Sequence, residues 1–354
     1  MSNSLLSLTF AKVFFPAALA FAAGILLTPI FTHFFYKYRM WKKVSRNSND
    51  KSEAFKNIHN ETEELRTPRV GGIVMWASVI LVTGVFAILA DFFPSTIAEK
   101  ISFLSRNQTL LPFGTFIAGA LLGLLDDFLH IFSSGSYAND EIRYRYLKVV
   151  ALICLGAFVG FWFYSKLGLE TIHVPFLGDF SIGAWMVPFF VFIMLAVFST
   201  SIIDGIDGLS GGVLASIFGA YSIIAFSRDQ FDLAAFSAVI TGGILAFLWF
   251  NIPPARFYMG ETGMLSLTLT LSTIAFLTDT VLLLPIIAFP LMITSLSSII
   301  QMTSKRFFVK KVFKIAPIHH HFEALGWPPY KVVMRFWVLS VMCAIVGTLL
   351  AIVS

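Results

Sequence analysis

Eight titratable side chains stand where long apolar runs end, or in the polar stretches just beyond them. They are Asp126, Asp127, Asp204, Asp207, Glu261 and the consecutive His319, His320 and His321. Ionised groups beside hydrocarbon are costly, so their gathering marks a functional site. Five carboxylates beside imidazoles suit a divalent cation and chemistry on a phosphorylated substrate. Asp126-Asp127 closes the run FIAGALLGLL. Adjacent helical positions diverge by about 100°, so one acid would meet a ligand or act as base while the other orients a neighbour. The plain alternative is two solvated acids at a helix end.

Asp204-Gly-Ile-Asp207-Gly-Leu-Ser210-Gly-Gly is more specific. Two acids three residues apart share a helical face, and the glycines permit close backbone approach. An N-cap explains one aspartate but not the second. The next segment, Asn251-Ile-Pro-Pro-Ala-Arg256-Phe-Tyr258-Met-Gly260-Glu261, supplies an amide, a guanidinium, an aromatic ring and a carboxylate for a base, a phosphate and a metal. Arg66 and Arg69, before Gly71-Gly72, could meet phosphate or anchor a helix at the headgroups. Three successive histidines cannot all face one metal in regular structure. They suit hydrogen bonds to a phosphate or a sugar.

The elements that carry these residues are membrane helices. The chain is 57% hydrophobic and 13% charged, with a mean hydropathy of +0.82, against about 25% charged residues in soluble domains. The composition predicts an all-α integral membrane protein, a single domain over residues 1–354, with ten spans of the length a bilayer requires. These are Val13–Phe35, Val70–Ala90, Thr109–Ile131, Tyr146–Ser165, Ser181–Ile203, Gly208–Ser227, Leu233–Pro253, Thr262–Thr278, Thr280–Ser304 and Val332–Val353. Asp279 alone separates the eighth from the ninth. Leu167–Phe180 alternates apolar and turn residues as a small hairpin would, whereas Trp41–Glu64 and Ser133–Glu141 have loop composition.

Basic residues orient the array. With both termini outside, inner loops and flanks hold twenty of the 25 Lys and Arg, leaving Lys12, Lys100, Arg106, Lys166 and Arg228 outside. All eight titratable residues then face the cytoplasm. The pI near 9.1 reflects basic loops resting on anionic headgroups and implies no nucleic acid. Cys154 and Cys343 fall inside spans, which argues against a disulfide. The apolar stretch at the N-terminus is long and its positive charge follows it, so it reads as a retained first helix. The sequence leaves room for a homodimer.

On Asp126-Asp127, DGIDGL, FLWFN, YMGETG, APIHHHFEALGW and RFW at Arg335–Trp337, nearly the whole chain resembles the polyprenyl-phosphate N-acetylhexosamine-1-phosphate transferase superfamily. The histidine segment is similar to its muramoyl branch. The resemblance implies a multi-pass protein of the bacterial plasma membrane with a cytoplasmic cleft. It would transfer phospho-MurNAc-pentapeptide from UDP-MurNAc-pentapeptide to undecaprenyl phosphate, giving lipid I and UMP with Mg2+. It further implies catalytic roles for Asp126, Asp127 and Asp204, and substrate contacts by Asp207, Asn251, Tyr258, Gln301, Arg69 and His319–His321. Glu261 would bind the metal. Departures from the family pattern are Glu261 for Asp, Ser201 for Asn, and His130 for a Lys that usually follows the Asp pair. A Lys is also usual near Glu64, and TPRVGG resembles the GlcNAc-transferring relatives. A relative using UDP-GlcNAc or another UDP-N-acetylhexosamine is the nearest alternative. A cation-coupled transporter fits less well, because its charges belong near mid-bilayer.

Overall fold

A computed structural model describes residues 3–41, 65–92, 100–132 and 141–354. Both expected loop tracts fall almost entirely outside these residues, at 42–64 and 133–140. Long apolar runs must satisfy their backbone polar groups internally when they sit in lipid, so they fold as helices. These are α1 (Asn3–Lys37), α2 (Gly72–Phe92), α3 (Leu110–Phe132), α4 (Glu141–Lys166), α5 (Met186–Phe198), α6 (Leu209–Ser227) and α7 (Phe231–Asn251). Then come α8 (Gly260–Leu277), the short α9 (Leu284–Ile287), α10 (Phe289–Phe308), the short α11 (Ile318–Ala324) and α12 (Pro329–Val353). The expected hairpin forms from β1 (Thr171–Val174) and β2 (Gly178–Ser181), with Thr171 opposite Ser181 and Val174 opposite Gly178.

Helix occupies all ten expected stretches, and eight helices among the described residues are long and apolar enough to cross a membrane. The other two stretches differ in kind. The ninth is broken: Val281–Ile287 and Phe289–Phe308 meet at 85°. Pro290 stands in the first turn of α10, where its missing N–H and its ring prevent one helix from running through. The eighth, α8, is rich in hydroxyls and lies outside the apolar set.

Helix α8 is the centre of the molecule, with every residue from Thr262 to Phe276 buried. Its hydroxyls do not lack partners. Thr268 Oγ1 donates to the Met264 carbonyl (2.8 Å) and Thr270 Oγ1 to that of Ser266 (2.7 Å). Trp76 Nε1 on α2 donates to Thr262 Oγ1 (3.1 Å), which donates to the Ala120 carbonyl on α3 (3.1 Å), so one threonine stitches three helices. Helix α3 approaches α8 closely because Gly119 and Gly123 face it. A Cβ on Gly119 would strike the backbone at Leu265–Ser266, and one on Gly123 the backbone at Glu261–Thr262. Small residues allow such approach in membranes, where packing rather than hydrophobicity holds helices together. The consequence is positional: Asp126 and Asp127 are held beside the first turn of α8.

Gly123→Val should therefore push α3 off α8, at a cost of about 1–3 kcal/mol for overpacking. A thermal melt in detergent checks this, with a lowered Tm expected. Gly114 offers the control, since a Cβ there meets nothing within 4 Å and Gly114→Ala should melt like the parent.

Candidate active site

The first turn of a helix carries N–H groups with no intrahelical acceptor. In α8 two of them find carboxylates from other elements. Gly260 N–H donates to Asp204 Oδ2 (3.2 Å) and Thr262 N–H to Asp127 Oδ2 (2.9 Å). Negative charge at a helix N-terminus is also favoured by its dipole. Asp127 is 0% exposed, so the reading of a solvated acid pair is wrong. Asp126 and Asp127 do diverge as adjacent helical residues must. One braces α8, and the other turns into a cleft of about 700 Å3.

Asp126, Asp204, Glu261 and His320, four of the eight gathered residues, line that cleft together with Arg69. Lys148, from the first turns of α4, lies among them and was counted in the sequence only as a topological charge. Its Nζ is 3.2 Å from Asp126 Oδ2 and 3.6 Å from Glu261 Oε1. It links the two acids that would otherwise repel across the cleft. His130 Nε2 lies 3.9 Å from Asp126 Oδ2. One wall is apolar, with Phe198, Ile202, Ile299 and Met302.

Two buried carboxylate oxygens, Asp127 Oδ1 and Glu261 Oε2, have no hydrogen-bond partner. Orphaned acceptors of this kind are rare and suit a hard cation. No three ligating side chains cluster among the described residues. Glu261, which also lines the cleft, fits Mg2+, an ion that takes one or two carboxylates and completes its octahedron with water and substrate phosphate.

The remaining sequence candidates hold the cleft's walls. Residues 204–208 form a turn between a 3-10 segment (Ser199–Ile203) and α6, so Asp204 and Asp207 do not share a helical face. Gly208 has φ +78, a conformation that breaks the helical register there. Asp204 Oδ1 accepts from Ser210 Oγ (2.8 Å), while Asp207 Oδ2 accepts from Ala255 N–H (3.0 Å) in the loop before α8. Asn251 is buried and spent on structure: its Oδ1 accepts from Gly208 N–H and its Nδ2 donates to the Phe257 carbonyl, both at 2.9 Å. Backbone bonds run from Tyr258 N–H to the Pro68 carbonyl and from Gly71 N–H to that of Tyr258. TPRVGG is thus a strap that binds the loop before α8 and delivers Arg69 to the cleft; Arg66 is exposed. Asp127, Asp207, Asn251, Tyr258, Gln301, His319 and His321 do not line the cleft.

The histidines lie on a short helix, α11, rather than a loop. His319 and His320 are buried, and a Cβ on Gly205 would lie 2.7 Å and 2.9 Å from their Nε2 atoms. A side chain at 205 would have to push both rings aside. Glu323 Oε2 sits 2.6 Å from His320 Nδ1, which orients the ring with Nε2 towards Gly205 and the cleft. His321 turns away: its Nδ1 accepts from Lys314 N–H (3.1 Å). Burial, then the Lys314 charge, pushes its imidazole below the usual range. Gln301 Oε1 accepts from the Val312 and Phe313 N–H groups, both at 3.0 Å. The RFW and GW motifs are mounts as well. Trp337 Nε1 donates to the Gly208 carbonyl (3.0 Å), and the Arg335 guanidinium stacks 4.2 Å from the Trp327 ring centre.

Residues 109–279 match the family described as glycosyl transferase family 4. The phospho-N-acetylmuramoyl-pentapeptide-transferase of Bacillus licheniformis is 33% identical over 339 residues, spanning 95% of this chain and 96% of its own. The protein of that name from Chloroflexus aggregans is 31% identical over 356 residues, spanning 97% of this chain and 90% of its own. That from Bacillus subtilis strain 168 is 32% identical over 338 residues, with 95% and 96% covered.

The bond from Thr262 N–H separates two roles of Asp127. Asp127→Asn retains an acceptor for it, whereas Asp127→Ala removes the cap at a cost of about 0.5–2 kcal/mol. Thermal unfolding should show a lower Tm for Asp127→Ala and little change for Asp127→Asn.

Proposed function

The chain belongs to the phospho-N-acetylmuramoyl-pentapeptide-transferase family, and from that membership we propose its reaction. It transfers phospho-MurNAc-pentapeptide from UDP-MurNAc-pentapeptide to undecaprenyl phosphate, giving lipid I and UMP. An oxygen of the lipid phosphate bonds to the β-phosphorus of the donor, and the bond from that phosphorus to the bridging oxygen breaks, releasing UMP. The observation that carries the reading is the cleft itself, where acids, cations and an imidazole face an apolar wall. A charged donor and an isoprenoid acceptor need both surfaces at one place.

Phosphoryl transfer chiefly requires positioning and charge neutralisation. Asp126 would position the acceptor phosphate, or take its proton, from a site that Lys148 holds at 3.2 Å. Arg69, whose main chain is fixed through its N–H to the Met40 carbonyl (3.0 Å), would pair with donor phosphate. His320, oriented by Glu323, would meet the phosphate or the sugar. Glu261, which lines the cleft and keeps one oxygen unpartnered, would hold Mg2+. Bound there, it supplies neutralisation of the pyrophosphate charge. A carboxylate one methylene longer than aspartate still reaches such an ion, since Glu261 is mounted on a turn begun by Gly260.

The distribution of Lys and Arg supports a cytoplasmic cleft with both termini outside, in the plasma membrane of a bacterium. TPRVGG, as a strap, does not argue for a GlcNAc donor. The histidine helix at the cleft supports the muramoyl donor.

Purified protein given undecaprenyl phosphate, Mg2+ and UDP-MurNAc-pentapeptide should release UMP, and should prefer that donor to UDP-GlcNAc. A clear preference for UDP-GlcNAc overturns the muramoyl assignment, and no UMP from either donor overturns the reaction. In the same assay Glu261→Asp should keep substantial activity. Glu261→Gln should lose about 100-fold or more and need more Mg2+.

A further inference from the structure

Beyond the cleft, the end of α10 and the residues after it carry features that the reaction does not use. Phe307, Phe308 and Val309 are 70%, 71% and 88% exposed. Val309 has φ +55, a left-handed turn that ends α10 and sends the chain back along it. The returning segment is fastened rather than loose: Gln301 holds Val312 and Phe313, and Ser304 Oγ donates to the Lys310 carbonyl (2.9 Å). A tied hook that presents three adjacent large apolar side chains has a high cost in water.

The hook is also strongly basic. Lys305, Arg306, Lys310, Lys311 and Lys314 are all exposed, and no acidic residue occurs between Gln301 and Phe322. Among the described residues no ion pair engages any of these five. The apolar side chains continue along α10 at Leu296 and Ile300, which are exposed on a helix of a lipid-embedded protein. Apolar side chains ringed by cations match the chemistry of an anionic lipid surface, with hydrocarbon below and phosphate above.

We propose that Lys305–Lys314 is a membrane-docking hook that inserts Phe307, Phe308 and Val309 into the bilayer and binds anionic headgroups on the side of the cleft. The reading uses the multi-pass fold and not the identity of the donor. Docking also bears on the site. Lys314 N–H donates to His321 Nδ1, and Lys314 Nζ reaches the Ala324 carbonyl (3.4 Å), so the hook ends against the histidine helix.

The test places an environment-sensitive fluorophore on Phe308→Cys in full-length protein carrying Cys154→Ala and Cys343→Ala. The protein is reconstituted in nanodiscs of phosphatidylcholine, or of equal phosphatidylcholine and phosphatidylglycerol. Each basic residue near an anionic surface contributes enough that acrylamide quenching should fall by about threefold or more when phosphatidylglycerol is present. Quenching by brominated lipid should rise to match. With Lys305, Arg306, Lys310 and Lys311 all changed to Gln, both responses to phosphatidylglycerol should vanish. Three outcomes overturn the proposal: a label equally open to acrylamide in both discs, a label equally buried in both, or a fourfold variant with the parent's full response. The first would mean that the face meets water or a protein partner instead.

Discussion

The start of α8 is the constraint on which the rest of the molecule depends. A helix that begins inside a membrane protein exposes N–H groups that neither water nor its own turns can satisfy. Here Asp127 from α3 and Asp204 from the turn before α6 satisfy them. Both acids are thereby fixed at one point, and so are the segments that bear them. Gly119 and Gly123 let α3 come close enough for Asp127 to reach. The TPRVGG strap and Asn251 hold the preceding loop in register. The carboxylates that cap α8 thus also fix the geometry of the cleft beside it.

The same arrangement answers how several acids coexist beside hydrocarbon. Each has a distinct compensation. Asp127 and Asp204 accept backbone N–H groups, Asp207 accepts Ala255 N–H, and Asp126 and Glu261 share Lys148. Among the described residues, two buried carboxylate oxygens remain without a hydrogen-bond partner, on Asp127 and Glu261. A fully neutralised cleft would have little to offer a metal and a pyrophosphate. One with many bare carboxylates would be costly to fold. Of the two acids, Glu261 lines the cleft, and on the proposed function the rest of a coordination shell is left to the substrate.

Much of this was legible in the sequence because membrane helices announce themselves by apolar length. All ten stretches are helical, and Asp126, Asp204, Glu261 and His320 meet in one cleft as their positions at or just beyond the ends of apolar runs implied. The departures have local causes. The ninth stretch reads as one span by hydropathy, which is blind to the bend at Pro290. The spacing of Asp204 and Asp207 suggests a shared helical face, but Gly208 takes a left-handed conformation and the two carboxylates part. Lys148 escaped notice because its partners lie 22 and more residues away and only the fold unites them. Asn251 and Gln301 looked like ligand contacts; their amides are occupied by backbone groups, a use that no sequence pattern distinguishes.

The central claim is that the cleft holds a divalent cation together with the donor's pyrophosphate, and not by protein ligands alone. Binding of Mn2+ in place of Mg2+, followed by electron paramagnetic resonance on the purified protein, tests it most directly. With Glu261 as the proposed protein ligand, Mn2+ should bind weakly to the protein alone and much more tightly once UDP-MurNAc-pentapeptide is present. Equally tight binding with and without the donor, or no binding in either case, would contradict the account.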